Sequence, residues 1–222
     1  MSQKAATKPG FVKRVFNGSN ASTITILLIF IAMCVGLTIA KPAFTDFTNL
    51  MNVARAFSAY AIAGLGVSMV IMLGGIDISI CAIYGLAGVV SALAIKGGIP
   101  TVPAILLGIL SGVGCGVVNG LLVVYCKLPP YIATLGTQQI FRGICYITTR
   151  GYPISGLGEK YLWLGQSYFL GIPMAVYAMV IIVILFSIFR NMTTTGRRIF
   201  AMGGNEEATR ISGINTTRLK IL

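Results

Sequence analysis

The sequence predicts an all-α fold: a polytopic helical membrane protein with about six transmembrane helices and a short helix on its cytoplasmic face. Three observations point there. The chain of 222 residues is 56% hydrophobic and only 10% charged, outside the range of soluble domains. Its apolar runs recur at lengths near the ~20 residues that cross a hydrocarbon core. Its basic residues sit mostly between those runs. The last point bears on the net charge of +12. A nucleic-acid surface would gather that charge in one stripe with interleaved aromatics, and this chain instead spreads it as anchors at the membrane face.

Residues 1–22 read as a cytoplasmic N-terminal segment, 23–189 as a transmembrane domain and 190–222 as a final cytoplasmic loop. The six spans are 23–40, 51–73, 78–95, 101–124, 131–149 and 171–189. Lipid offers no partner to a free N–H or carbonyl, so each span is a helix. A cleaved signal peptide competes for the first span. Its apolar core exceeds the usual ~7–15 residues, which favours an uncleaved helix. Ile221-Leu222 read as the first residues of a further span.

Orientation follows from Lys and Arg. With the N-terminus inside, Lys4, Lys8, Lys13, Arg14, Lys127, Arg190, Arg197, Arg198, Arg210, Arg218 and Lys220 are cytoplasmic. Only Lys41, Lys96, Arg150 and Lys160 are external, as the positive-inside rule requires. Arg55 and Arg142 fall near span ends and snorkel. The sequons at Asn17, Asn20, Asn191 and Asn215 then read as chance matches. The five cysteines are scattered, with no CxxC pair and no histidine. They read as small buried hydrophobes, and no metal site is expected.

Four features carry more than membrane insertion. In "MLGGIDISI" (72–80), Gly74-Gly75 break or turn a helix. Asp77 is placed to cap the next one by accepting from the N–H of Ser79 or Ile80. A tight cytoplasmic turn explains this, and so does a broken helix lining a substrate path. Gly108, Gly112, Gly116 and Gly120 recur every four residues on one helix face. Small residues let a neighbouring backbone approach, within the chain or on a second one, and the internal reading is favoured. Asn119 lies beside this face and is placed to bond to a neighbouring helix.

In "KLPPYIATLGTQQIFRGI" (127–144), Pro129-Pro130 stop one helix and lead into the next. Thr134, Thr137, Gln138, Gln139 and Arg142 make that fifth span too polar to face lipid. Arg142 is a candidate ion-pair partner for Asp77. Finally, in "GGNEEATRISGI" (203–214), Asn205 suits an N-cap. Glu206 and Glu207 suit the positive end of a helix dipole, Glu206 stands one turn from Arg210, and Gly213 suits a C′ stop. Residues 205–212 therefore form a two-turn helix, with Ala208 and Ile211 sharing one side. It is too short to persist undocked. It rests on its own loops or the headgroups, or it plugs a groove on a soluble partner.

"GGIDIS", "PPYIATLGT", "RGICYITTRG" and "GRRIFAMGGNEEATRISGI", in this order and spacing, resemble the permease subunits of bacterial ABC sugar importers, in the ribose, xylose and galactose branch. The likeness covers roughly residues 45–220. It implies a multi-pass permease of the bacterial inner membrane. Its implied partners are cytoplasmic ATPase subunits, a second permease copy or paralogue and an extracytoplasmic sugar-binding protein. It implies no cofactor on this chain. It assigns Gly203, Gly204, Asn205, Glu206, Ala208 and Gly213, with Glu207 beside them, to a coupling helix that docks on the ATPase. It marks Gly74, Gly75, Asp77 and Ser79 as a hallmark segment. With Thr134, Thr137 and Gln138 these are the substrate-path candidates. Members usually continue the hallmark with Val-Gly, where Ile80-Cys81 stand here, and they carry further spans after the coupling loop.

The function expected is passive translocation of a ribose-like monosaccharide by alternating access, powered by another chain. No GK dipeptide occurs, so there is no P-loop. An intramembrane enzyme would want paired carboxylates, a serine with a base, or metal ligands, and Asp77 has no second acid in a matching span. A truncated, non-transporting membrane scaffold is the alternative.

Overall fold

The structure, a computed structural model, describes residues 21–221. The N-terminal segment 1–22 therefore lies almost wholly outside the described residues. Those described are overwhelmingly helical and divide into two compact units, one ending at Val53 and one starting at Ala54.

The first unit holds α1 (Ala21–Ala40), a 3₁₀ turn (Pro42–Thr45) and the start of α2 (Phe47–Met72). Pro42 opens the 3₁₀ turn, where its fixed φ fits and its missing N–H leaves no bond unmade. Asn49 then ties α2 back by donating from Nδ2 to the Phe44 carbonyl at 2.9 Å.

The second unit contains the rest of α2, then α3 (Ile80–Lys96), α4 (Thr101–Val124), α5 (Pro130–Thr149) and α6 (Glu159–Gln166). A two-stranded antiparallel hairpin follows, β1 (Tyr168–Phe169) with β2 (Ile172–Pro173). The chain continues through α7 (Met174–Met192), α8 (Thr194–Gly204), α9 (Glu206–Ile211) and α10 (Thr216–Ile221). The sixth span begins at Met174 and not at 171, because Gly171 (φ +79°) turns the hairpin and Pro173 precedes the helix. Arg55 of α2 reaches this region. Its guanidinium donates to the Gln166 carbonyl at 3.2 Å and lies 4.7 Å over the Tyr168 ring.

Among the described residues, four helices are long and apolar enough to cross a membrane: Ser22–Ala40, Phe47–Met72, Thr101–Val124 and Met174–Met192. Two of these windows have no buried residue, and Ile39 and Ile181 are among many large apolar side chains left exposed. Water does not tolerate such surfaces and lipid does, so the fold is that of an integral membrane protein. The other two expected spans differ. α3 is apolar but only 17 residues long. α5 has 20 residues but carries Thr134, Thr137, Gln138, Gln139 and Arg142.

α3 packs most extensively on α4 and next on α5. Leu86, Cys115 and Phe141 form the buried centre of that trio. A second cluster, Ile199, Met202 and Leu219, joins α8 and α10 to Met69, Met72 and Leu73 at the end of α2.

Candidate functional site

Two segments singled out in the sequence meet at one end of the second unit. The first is the turn after α2. Gly74 adopts φ +77°, a left-handed conformation that costs a Cβ-bearing residue free energy. Its N–H donates to the Ile71 carbonyl and that of Gly75 to the Val70 carbonyl, at 2.9 and 3.0 Å. This is the paired closure of a Schellman motif. It ends α2 and leaves Gly75–Ile78 outside regular secondary structure. α5 starts alongside: a Cβ on Gly75 would lie 3.4 Å from Cβ of Pro130.

Asp77 closes an Asx turn. Its Oδ1 accepts from the Ser79 N–H at 2.7 Å and from the Ser79 hydroxyl at 2.6 Å. Ser79 Oγ accepts from Asn119 Nδ2 at 2.8 Å, and Asn119 Oδ1 accepts from the Thr137 hydroxyl at 2.7 Å. Thr134 Oγ1 accepts from the Ile78 N–H at 3.3 Å and donates to the Pro130 carbonyl at 2.9 Å. Ser79, Asn119, Thr134 and Thr137 are exposed by 0, 6, 4 and 4%. Three of the sequence-nominated residues, Asp77, Ser79 and Thr137, are thus joined in one chain of bonds through Asn119, and Thr134 is held to the same turn. Gln138 is half-buried beside them. The Asp77–Arg142 pair does not form. Arg142 is exposed and lies 5.9 Å over the Tyr146 ring, three turns further along α5 than the turn it would have to reach.

The second segment is the charged cassette. Asn205 adopts an extended conformation and its Oδ1 accepts from the Ala208 N–H at 2.9 Å, the N-cap bond. Gly213 (φ +80°) ends α9 as Gly74 ends α2, with Gly213 N–H on the Arg210 carbonyl and Ile214 N–H on that of Thr209. The ion pairs differ from the expected Glu206–Arg210 contact. Arg210 bonds Glu207 at 2.7 Å, which raises its pKa further by hydrogen bonding and then by charge. Glu206 pairs instead with Lys220 at 2.6 Å, because α10 folds back beside α9. Ile211, 78% exposed, projects from the end of α9.

The cassette is seated by two glycines. A Cβ on Gly203 would run into the Met72 carbonyl oxygen, so α8 rests directly on the last turn of α2. A Cβ on Gly120 would lie 2.9 Å from Cα of Ile221, so α10 rests on α4 next to Asn119. Of the remaining small-face glycines, Gly108 and Gly112 face α3, with Ala87 carbonyl oxygen 2.7 Å from a Cβ at Gly108, and Gly116 meets nothing within 4 Å. Gly204 is likewise open. These partners were not legible from spacing, which gives a face and not its neighbour.

Sequence reasoning also missed a groove of about 780 Å³ between α3, α4, α5 and the segment after α5. It carries the hydroxyls of Tyr84, Ser91, Tyr146, Thr149, Tyr152 and Tyr161, and no charged residue lines it. Ser91 Oγ and Tyr161 OH are hydrogen-bonded at 2.6 Å. The signal available was the density of tyrosines flanking the fifth span, which reads equally as an interfacial aromatic belt. Among the described residues no group of His, Cys, Asp and Glu is arranged to hold a metal ion.

A family profile described as "Branched-chain amino acid transport system / permease component" matches residues 49–222. The chain belongs to that permease family. Among curated relatives, this permease chain is 38% identical over 213 residues to the ribose import permease protein of Bacillus subtilis strain 168, covering 95% of the chain and 66% of the relative. It is 33% identical over 204 residues to the ribose import permease protein of Escherichia coli K12, covering 90% and 63%. It is 32% identical over 201 residues to the L-arabinose transport system permease protein of the same strain, covering 89% and 60%. The chain therefore spans less than two thirds of the length of these relatives. No solved structure matches it significantly.

Proposed function

We propose that this chain is a membrane-embedded permease subunit of an ABC importer that translocates a neutral monosaccharide, ribose or a related sugar, across the bacterial inner membrane. One observation carries the reading: the capped, charged helix α9 directly follows α8, which Gly203 seats against the end of α2, while the tip of α9 stays exposed. A helix that short persists only when docked; its inner side is held by α8 and α10, and its outer side is left free to meet a partner. The free side suits a groove on a cytoplasmic ATPase, with Glu206 and Glu207 in its first turn and Ile211 at its tip.

In this reading the N-terminus is cytoplasmic, and a second permease copy or paralogue completes the pathway. An extracytoplasmic binding protein delivers the sugar. ATP is hydrolysed by the partner and not by this chain. Its closure favours one arrangement of the helices, which is the differential binding that any driven transition needs. Gly74, Gly75, Asp77 and Ser79 form the turn at the cytoplasmic end of the path, and Thr134, Thr137 and Gln138 the first turns of α5 beside it. The relatives' names support a sugar as cargo. The groove supports a neutral one, since tyrosines offer flat apolar faces and hydroxyls while a zwitterion would want opposing charges or helix ends.

The test is capture of a cognate ATPase by chains with Glu206, Glu207 and Ala208 altered, together with sugar uptake in a strain lacking its own permease. Loss of both is expected. Undiminished capture and undiminished uptake would remove the coupling role.

A further inference from the structure

We propose that Asn119 is the junction of a rigid joint that locks the α2–α3 turn, α4 and α5 into one body, and that the cassette moves this body as a unit. The proposal deepens the coupling reading above and rests on it.

The direction of the bonds makes the joint specific. A carboxylate only accepts, so Asp77 Oδ1 orients the Ser79 hydroxyl toward itself. The lone pairs of Ser79 Oγ are then left to accept from Asn119 Nδ2. That fixes which way the Asn119 amide points and leaves its Oδ1 to accept from Thr137. Three donors thus point one way, toward a single negative charge, across three separate elements. Such a chain is mutually polarising, and its charged end makes the last bond the strongest. Ser79, Asn119 and Thr137 are buried, so water does not replace a bond that opens, and each opening leaves a polar group unpaired.

The cassette meets this body at two points. Gly203 rests on the Met72 carbonyl, five residues before Asp77, and Ile221 rests on Gly120, next to Asn119. The Ile199, Met202 and Leu219 cluster holds α8 and α10 together behind both contacts. A displacement of the cassette therefore reaches the turn and α4 at once, and the hydrogen-bond chain carries it to α5. Interfaces of this density shift between discrete arrangements and do not bend gradually. Asn119 is a positioning residue in this scheme: it is buried and does not line the groove.

The experiment compares Asn119→Leu, Thr137→Val and Thr137→Ser in importers reconstituted with the cognate ATPase and binding protein, measuring ATPase capture and sugar moved per ATP hydrolysed. Asn119→Leu and Thr137→Val should keep capture and hydrolysis but lower sugar per ATP roughly tenfold, the size expected for a buried polar link cut within a network. Thr137→Ser keeps the hydroxyl and should restore the ratio. The joint is overturned if sugar per ATP is unchanged in both apolar variants. Equal loss in Val and Ser also overturns it, since that would be packing and not hydrogen bonding. Thr137→Val decides the matter if Asn119→Leu fails to fold. A wild-type chain that captures no ATPase would overturn the coupling reading itself, and the joint with it.

Discussion

Gly203 and Gly204 are neighbours in the last turn of α8, and alanine at each separates contact from propensity. Both substitutions remove the backbone freedom of glycine, worth up to about 1 kcal/mol in a helix interior and less at its end. At Gly204 nothing lies within 4 Å of the added methyl, so Gly204→Ala should be neutral or slightly stabilising. At Gly203 the methyl meets the Met72 carbonyl, which is backbone and unable to rotate aside. The cassette must slide off the end of α2 by something on the order of an ångström, or strain must be absorbed, at a cost of about 1–3 kcal/mol. The difference between the variants should therefore be about 1–3 kcal/mol, since the propensity gain is shared. Two assays read it: the apparent melting temperature of the purified chain in detergent, lower by several degrees for Gly203→Ala, and sugar uptake in cells, reduced for Gly203→Ala alone. If the two variants melt together and transport equally, the seating of the cassette on α2 is not as described and the reasoning fails.

Further outcomes follow from the same geometry. Asp77→Asn keeps an acceptor oxygen for Ser79 and should be milder than Asp77→Ala, which leaves both Ser79 donors unpaired for about 1–3 kcal/mol; the reverse order in thermal stability would refute the Asx-turn role of Asp77. Asn205→Ala removes the cap of α9 and should cost about 1 kcal/mol, seen as faster amide exchange confined to residues 206–211. Tyr146→Ala and Tyr152→Ala should raise the KM for sugar uptake while ATPase capture stays intact; unchanged KM in both would take the groove out of the pathway.

Much of the helical plan was legible because it is set locally. A run of apolar residues long enough for the hydrocarbon core gives a helix wherever it occurs, and α4 and α5 begin and end within a residue of the expected spans. Caps are local too: Asn205 bonds three residues ahead, Asp77 two, and Gly74 and Gly213 close their own helices. The α6 helix and the hairpin after it escaped notice, since short elements carry too few residues for a periodic signal.

By itself, then, the sequence determined the membrane class, the helices and the chemistry at their ends, all of which depend on residues a few positions apart. The partners come from how the helices pack: Asn119 between Ser79 and Thr137, Gly203 on Met72, Glu206 with Lys220 and not Arg210. Each of those depends on how helices far apart in the chain are rotated and offset against one another. That offset is fixed by packing summed over many side chains, so no short window of sequence contains it.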